Sequence, residues 1–395
     1  MRDKIMSQPN IESRPNILLL LTDQQRWDTL AAAGCSWMQT PNLDRLAARG
    51  TLFTNAFCNS PLCMPSRQSM LSGRYPAAAG CTGNGVEMRE DMPNAATLLG
   101  SAGYHTANIG KLHFKNHAHR DHSEPHPSYG FDTLLLSDEP GLYKDAYTTW
   151  LQARGLNDIR TWTLESAPGL GHDFRIGGPS REVTAPLPFE GPDDATHSAW
   201  VARETCDFLS QHVNDHFFCI AGFFAPHSPI NPPQKWLDAY RDTEVPLPVM
   251  NESERESLGL SDEEWIRIRR SYYALVSHVD EEIGRILDHL DELGLSENTL
   301  VVFTSDHGEH LGDHGQIHKG PPGLNSCAHV PMIVAAPGKM DITRGNQSSE
   351  LVELVDFLPT CLDFARIKHE QVLRTLRRRA TRVCHHSAEH PTPVE

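Results

Sequence analysis

Apolar residues in this chain gather into short, uninterrupted runs, and polar, titratable residues follow most of them at once. Asn16-Ile17-Leu18-Leu19-Leu20-Leu21-Thr22, His216 to Phe224, Asn298 to Ser305 and Val330 to Ala336 show no polar alternation. Runs of that length suit strands buried on both faces, as in a parallel sheet. Tyr104 to Ile109 reads as a shorter strand. Helical signals lie between the runs. Thr40 to Gly50 predicts a helix with Thr40 as N-cap, Pro41 at its first position and Gly50 past its end. Pro65 suits the first turn of a second helix and Gly73 its stop, so Cys63 sits at or just before the helix start. Further helices are expected over Asn94 to Ala102, about Ala195 to His212, and Leu351 to Phe364. Ser261-Asp262-Glu263-Glu264 is a capping box. It opens a long helix whose buried stripe includes Tyr272, Leu275, Val279, Ile283 and Leu290, and Gly294 ends it. The alternation predicts an α/β fold: a mostly parallel central sheet with helices on both faces.

The residues that follow the strands carry the candidate chemistry. Asp23 and Gln24 follow the first run, Lys111 and His113 the Tyr104 strand, His227 the His216 run, and Asp306 and His307 the Asn298 run, with Lys319 downstream. Open α/β sheets bind ligands beyond the carboxyl ends of their strands. On position alone Asp23 is equally a ligand or a turn residue, and a lone His227 in a turn reads first as structural. Arg67 lies one helical turn after Cys63, on the same side. A helix start, a thiol and a guanidinium within five residues make a place to hold an oxyanion beside a nucleophile. Oxygen-rich groups with one imidazole suit a hard divalent cation, Ca2+ or Mg2+.

Charge narrows the partners. A formal net charge of -16 argues against nucleic acid or an anionic membrane, so an anionic substrate needs a local basic pocket. Nine cysteines without repeating spacing read as a reduced chain, which with the lack of a visible secretory signal places the protein in the cytoplasm. No stretch is long enough to span a bilayer. His117, His119, His122 and His126 match no compact zinc pattern and read as a solvated loop. Residues 1–14 read as a flexible N-terminus, 15–366 as one catalytic domain, and 367–395 as an atypical basic and polar tail without core-forming runs.

The segment Cys63-Met64-Pro65-Ser66-Arg67 resembles the signature of the type I sulfatases, in which the cysteine is oxidised to formylglycine. Further segments in order strengthen the resemblance: Asn16 through Gln24, Thr40 to Asp44, Gly110-Lys111-Leu112-His113, Pro226-His227-Ser228-Pro229, Phe303 to Gly308, and Lys319. It covers the chain to about Ala365 and implies an alkaline phosphatase-like fold, with the family's smaller C-terminal subdomain truncated here. Carried over residue by residue, it implies a metal, usually calcium with magnesium as alternative, held by Asp23, Gln24, Asp306, His307 and the modified Cys63. Family members often carry Asp at 24 and Asn at 307; Gln and His here lower the site's negative charge. Arg67 would orient the modified residue. Lys111 and Lys319 would hold sulfate oxygens, His227 and Lys319 would assist the leaving alcohol, and His113 would take the last proton.

The implied function is hydrolysis of a small-molecule sulfate ester, arylsulfatase-like, after maturation by a formylglycine-generating enzyme. Two other readings stay open: a phosphonate or phosphate monoester hydrolase on the same scaffold, and an impaired truncated remnant that only binds metal or anion. The sequence leaves aryl, choline and sugar sulfates open.

Overall fold

The computed structural model describes residues 14–116, 124–141, 143–156, 187–338, 340 and 343–367. The expectations for residues 1–13, for His117, His119 and His122, and for 368–395 lie outside the described residues.

The apolar runs form the middle of an eight-stranded sheet. The strands are β1 (Asn16–Asp23), β2 (Thr51–Phe57), β3 (His105–Gly110), β4 (Thr133–Leu136), β5 (Phe217–Pro226), β6 (Thr299–Ser305), β7 (Met332–Ala335) and β8 (Asn346–Glu353), in the order β4-β3-β5-β1-β6-β7-β2-β8. Only β7 runs against its neighbours; the other pairings are parallel. Every residue of β1, β5 and β6 is buried.

Alternate residues of those strands feed two cores, as the two-residue period of a strand requires. Leu18, Leu20, Cys219, Ala221, Val301 and Phe303 face one core. It is closed by α1 (Pro41–Arg49), α4 (His197–Gln211) and the long α5 (Asp262–Glu292). Ile17, Leu19, Leu21, Phe218, Ile220 and Val302 face the other, covered by α2 (Cys63–Ser72), α3 (Ala95–Gly100) and α6 (Phe357–Phe364). Helices on both faces of a mostly parallel sheet are the architecture the pattern predicts. Among the described residues, no helix is long and apolar enough to cross a membrane.

Three local readings need correction. Thr40 stands at the start of α1 but does not cap it: its hydroxyl accepts from the Ala31 N–H (2.9 Å). Asp280 of α5 accepts from the N–H groups of Leu43 (2.8 Å) and Asn42 (3.2 Å) instead, so the cap is tertiary. The single helix expected over Leu351 to Phe364 is three elements: the end of β8, a short 3-10 turn at Leu354–Asp356, and α6. The edge strands β4 and β8, and β2, were not anticipated. In β8 only Val352 is buried, so no apolar period marks it.

Two glycines let strand ends approach closely. Gly110 has φ +94°, and a Cβ on it would stand 2.1 Å from the Gly222 carbonyl oxygen. That approach seats the Lys111 N–H on the Gly222 carbonyl at 2.8 Å and fixes where the lysine leaves β3.

Candidate active site

Cys63 is the first residue of α2, after an extended Leu62, and Gly73 closes the helix with φ +64°. All ten residues of α2 are buried, polar ones included, so their polar groups need partners. Ser66 donates to the Asp306 carbonyl at 2.5 Å. Arg67 joins three strand ends: Nε donates to Asp306 Oδ2 (2.7 Å), Nη1 to the Lys111 carbonyl (2.9 Å) and Nη2 to Asp23 Oδ2 (3.3 Å). Burial alone would pull its pKa down, but the Asp306 and Asp23 carboxylates outweigh that and hold the guanidinium charged.

Asp23, at the end of β1, is wholly buried among cations. Lys111 Nζ lies 2.9 Å from Oδ2, Arg67 Nη2 is 3.3 Å from the same oxygen, and Lys319 Nζ is 3.9 Å from Oδ1. Burial opposes ionisation, yet Lys111, Lys319, His227 and Arg67 together hold its carboxyl well below the ordinary range. Lys111 also meets Glu139 at 3.4 Å and sits 4.6 Å from the Phe224 ring centre. Its pKa is raised: burial pulls down, and Asp23 and Glu139 pull up further. Lys319 donates to the Cys63 sulfur at 2.8 Å. It is likewise held charged against burial, by Cys63 and Asp23.

His227 donates from Nδ1 to the Ser228 carbonyl (2.7 Å), which leaves Nε2 for other work. Burial and then Lys319 push its pKa well down, so the imidazole rests neutral while Lys319 carries the proton. His113 is buried just past β3, with its backbone N–H on Asp138 Oδ1 at 2.8 Å.

The end of β6 supplies Asp306 and His307. His307 donates from Nδ1 to the Gly308 carbonyl (2.8 Å), which turns Nε2 toward Cys63 Sγ (3.2 Å), Asp306 Oδ1 (3.6 Å) and Asp23 Oδ1 (3.7 Å). Burial would lower its pKa; Asp306 and Cys63 overcome that and raise it well above the ordinary value. Gln24, with φ +68°, is held at three points. Its N–H donates to Asp306 Oδ1 (3.1 Å), its carbonyl accepts from Tyr272 (2.6 Å), and its Nε2 donates to Glu309 Oε2. Arg26 braces the same loop, donating to the carbonyls of Glu309 (2.9 Å) and His310 (3.0 Å) while paired with Asp28 and Asp313.

These residues fit a divalent cation. The ligand atoms of Asp23, Cys63, Asp306 and His307 lie within 4.8 Å of one another, and all four residues are buried. Gln24 Oε1 is buried without a hydrogen-bond partner among the described residues, although the other end of the amide is pinned. A buried carbonyl oxygen left open beside two carboxylates and an imidazole is the donor set a hard cation takes. The Cys63 sulfur stands where the oxygens of an oxidised side chain would lie.

The fold therefore brings Asp23, Gln24, Cys63, Arg67, Lys111, Asp306, His307 and Lys319 together, with His227 close enough to act on Asp23's charge. Glu309 and Glu139 were not singled out from sequence. Glu309 stands two residues past His307, and its partner Gln24 is 285 positions away, so nothing local marks the pairing. His329 is stacked between Trp27 (4.5 Å) and Phe57 (4.8 Å) and hydrogen-bonds the Thr54 carbonyl.

Fold and site together fit the alkaline phosphatase-like class of hydrolases, with a buried group at the carboxyl edge of the sheet that could hold a metal ion. The family model described as Sulfatase matches residues 15–367, and the chain belongs to that family. An arylsulfatase of Clostridium perfringens is 33% identical over 378 residues, covering 90% of this chain and 75% of the relative. A choline-sulfatase of Rhizobium meliloti is 29% identical, covering 91% and 69%. Among solved structures, a phosphonate monoester hydrolase of Agrobacterium radiobacter superposes with a TM-score of 0.73 at 25% identity, covering 89% of this chain and 74% of that one.

Proposed function

We propose that the protein hydrolyses a small-molecule sulfate ester to the free alcohol and inorganic sulfate, with Cys63, oxidised to formylglycine, as nucleophile. The placement of Cys63 carries this reading. It opens a buried helix between Lys319 Nζ at 2.8 Å and His307 Nε2 at 3.2 Å, with Arg67, Lys111 and Asp23 packed behind.

Hydrated, the aldehyde carries two hydroxyls on one carbon. One gives its proton to Asp306 and forms a bond to sulfur as the ester S–O bond breaks, and the alcohol leaves with a proton from Lys319 beside the neutral His227. The second hydroxyl gives its proton to His113; its electrons reform the carbonyl as the C–O bond to sulfate breaks. A thiol has no such second hydroxyl, which is why the oxidation matters. Arg67 orients the side chain, while Lys319 and Lys111 supply positive charge for the oxyanion. Asp23, Gln24, Asp306, His307 and the modified Cys63 would hold a calcium or magnesium ion, which when bound would favour ionisation of the attacking hydroxyl.

A formylglycine-generating enzyme is the maturation partner in this reading. The setting is the cytoplasm, in keeping with eight described cysteines that are all free thiols. The test is mass spectrometry of the peptide carrying Cys63, after expression with that enzyme, alongside an assay of sulfate release. Loss of the thiol and gain of an aldehyde in the active protein is the expected result; full activity from a protein that keeps the thiol contradicts it. A second reading, phosphonate or phosphate monoester hydrolysis, has support from the likeness to the phosphonate monoester hydrolase. The ratio of kcat/KM for sulfate and phosphonate esters of one alcohol decides between them.

A further inference from the structure

A lysine that holds an anion is weakened by a carboxylate beside it, and Lys111 has two. Its Nζ is 2.9 Å from Asp23 Oδ2 and 3.4 Å from Glu139 Oε1. Asp23 belongs to the group that fits a metal ion, so its charge has a use there. Glu139 has none in the reaction as drawn. Its side chain keeps 15% of its surface exposed, while those of Lys111 and Asp23 keep none. Glu139 therefore lies at the solvent margin of the cationic cluster.

The strand register puts it there. β3 and β4 run parallel, with Ala107 opposite Thr133 and Gly110 opposite Leu136. Past the strand ends, the next residues keep the two chains together. The Ser137 N–H donates to the Gly110 carbonyl (3.1 Å), and Asp138 Oδ1 accepts from the N–H groups of Leu112 (2.6 Å) and His113 (2.8 Å). Glu139 follows and meets Lys111. Residues 137–139 thus grip residues 110–113, the segment that carries both Lys111 and His113. The field on this wall is negative: burial, then Asp138, Glu139 and Asp145, raise the Tyr143 hydroxyl well above its ordinary value.

We propose that Glu139 sets the charge of the anion this site accepts. It discriminates against groups with two negative charges, and so disfavours phosphate monoesters and the inorganic sulfate that the reaction releases. The inference rests on the sulfatase reading, in which Lys111 holds sulfate oxygens, and deepens it. A sulfate ester is a monoanion. A phosphate monoester ionises a second time near pH 6 and is a dianion at about pH 8; inorganic sulfate is a dianion as well. Repulsion by one carboxylate is proportional to the charge it acts on, so a dianion feels twice that of a monoanion at the same place. Partial burial of Glu139 keeps that repulsion from being fully screened. Its pull on Lys111 acts through the lysine on either anion, and a change in lysine position alone would alter both together. Phosphonate monoesters are monoanions too, and Glu139 does not exclude them.

The test is isothermal titration calorimetry of the metal-loaded full chain with inorganic sulfate and with methanesulfonate, two oxyanions of sulfur that carry two charges and one. Glu139→Gln and Glu139→Ala remove the charge, Glu139→Asp keeps it, and circular dichroism checks that each is folded; either neutral variant suffices. The neutral variants should tighten sulfate relative to methanesulfonate by about three- to tenfold, and Glu139→Asp should hold the ratio within about twofold of the wild type. A residue that only positions Lys111 would change both affinities together and leave the ratio still. A ratio that moves less than about twofold in the neutral variants overturns the inference, as does an equal shift in Glu139→Asp or binding of neither anion. Turnover is a separate arm. Matured Glu139→Gln should gain kcat/KM for 4-nitrophenyl phosphate relative to 4-nitrophenyl sulfate, and inorganic sulfate should inhibit it more strongly; no gain in either overturns the inference. Absence of sulfate release by the wild type overturns the sulfatase reading, while the calorimetric ratio still decides the role of Glu139.

Discussion

Arg67 and Glu309 show how single side chains fix this site. Arg67 is fully buried and ties Asp306, Asp23 and the Lys111 backbone together through three separate nitrogens. Lysine cannot reproduce that planar fork. Arg67→Lys is therefore expected to leave at least one buried carboxylate short of its partner and to cost about 3–5 kcal/mol, read from urea unfolding; a change within error would show that the fork is not needed for the fold. Glu309 acts through Gln24, whose Nε2 it holds while Oε1 stays open. Glu309→Ala should lower affinity for calcium or magnesium about 10–100-fold, measured by titrating dialysed protein with the ion. Unchanged affinity would mean that Gln24 is oriented without it. Neither link is visible in sequence, because each partner lies far away along the chain. What sequence does show is Asp23 and Asp306 at the ends of apolar runs, and Cys63 opening a helix.

At the scale of elements, burial on both sides decided what could be read. β1, β5 and β6 are apolar throughout because both cores press on them, and their runs are unmistakable. β8 lies at the sheet edge, exposed over most of its length, so its sequence carries no period. The start of α1 shows a tertiary contact replacing the local signal: Asp280 bonds the first N–H groups while Thr40 turns away. Burial pushes Asp280 up to about 6, against the pull of those N–H groups of Leu43 and Asn42. An acid raised on folding takes up a proton as the chain folds. Its contribution to stability is full below the unfolded carboxyl value, near 4, and is lost as pH rises through about 6. Asp280→Asn does not titrate. Thermal melts from about pH 4 to 7 should therefore show the wild type losing ground to the variant as pH rises, and a gap that stays constant would contradict the assignment.

Across the whole molecule, a chain of net charge -16 concentrates Arg67, Lys111 and Lys319 at one edge of its sheet. Sites assembled at strand ends draw on residues far apart in sequence: Cys63 and His307 are 244 positions apart, yet their side chains meet at 3.2 Å. That convergence follows from parallel strands, whose carboxyl ends share one edge, and so the site was legible as a set before any distance was known. The central claim is that Cys63 is the nucleophile of a sulfate ester hydrolase. Its most direct test is inorganic sulfate released from 4-nitrophenyl sulfate by the matured, metal-loaded protein and by Cys63→Ala under the same conditions. The account predicts release by the first and none above background by the second. Equal release by both would contradict it.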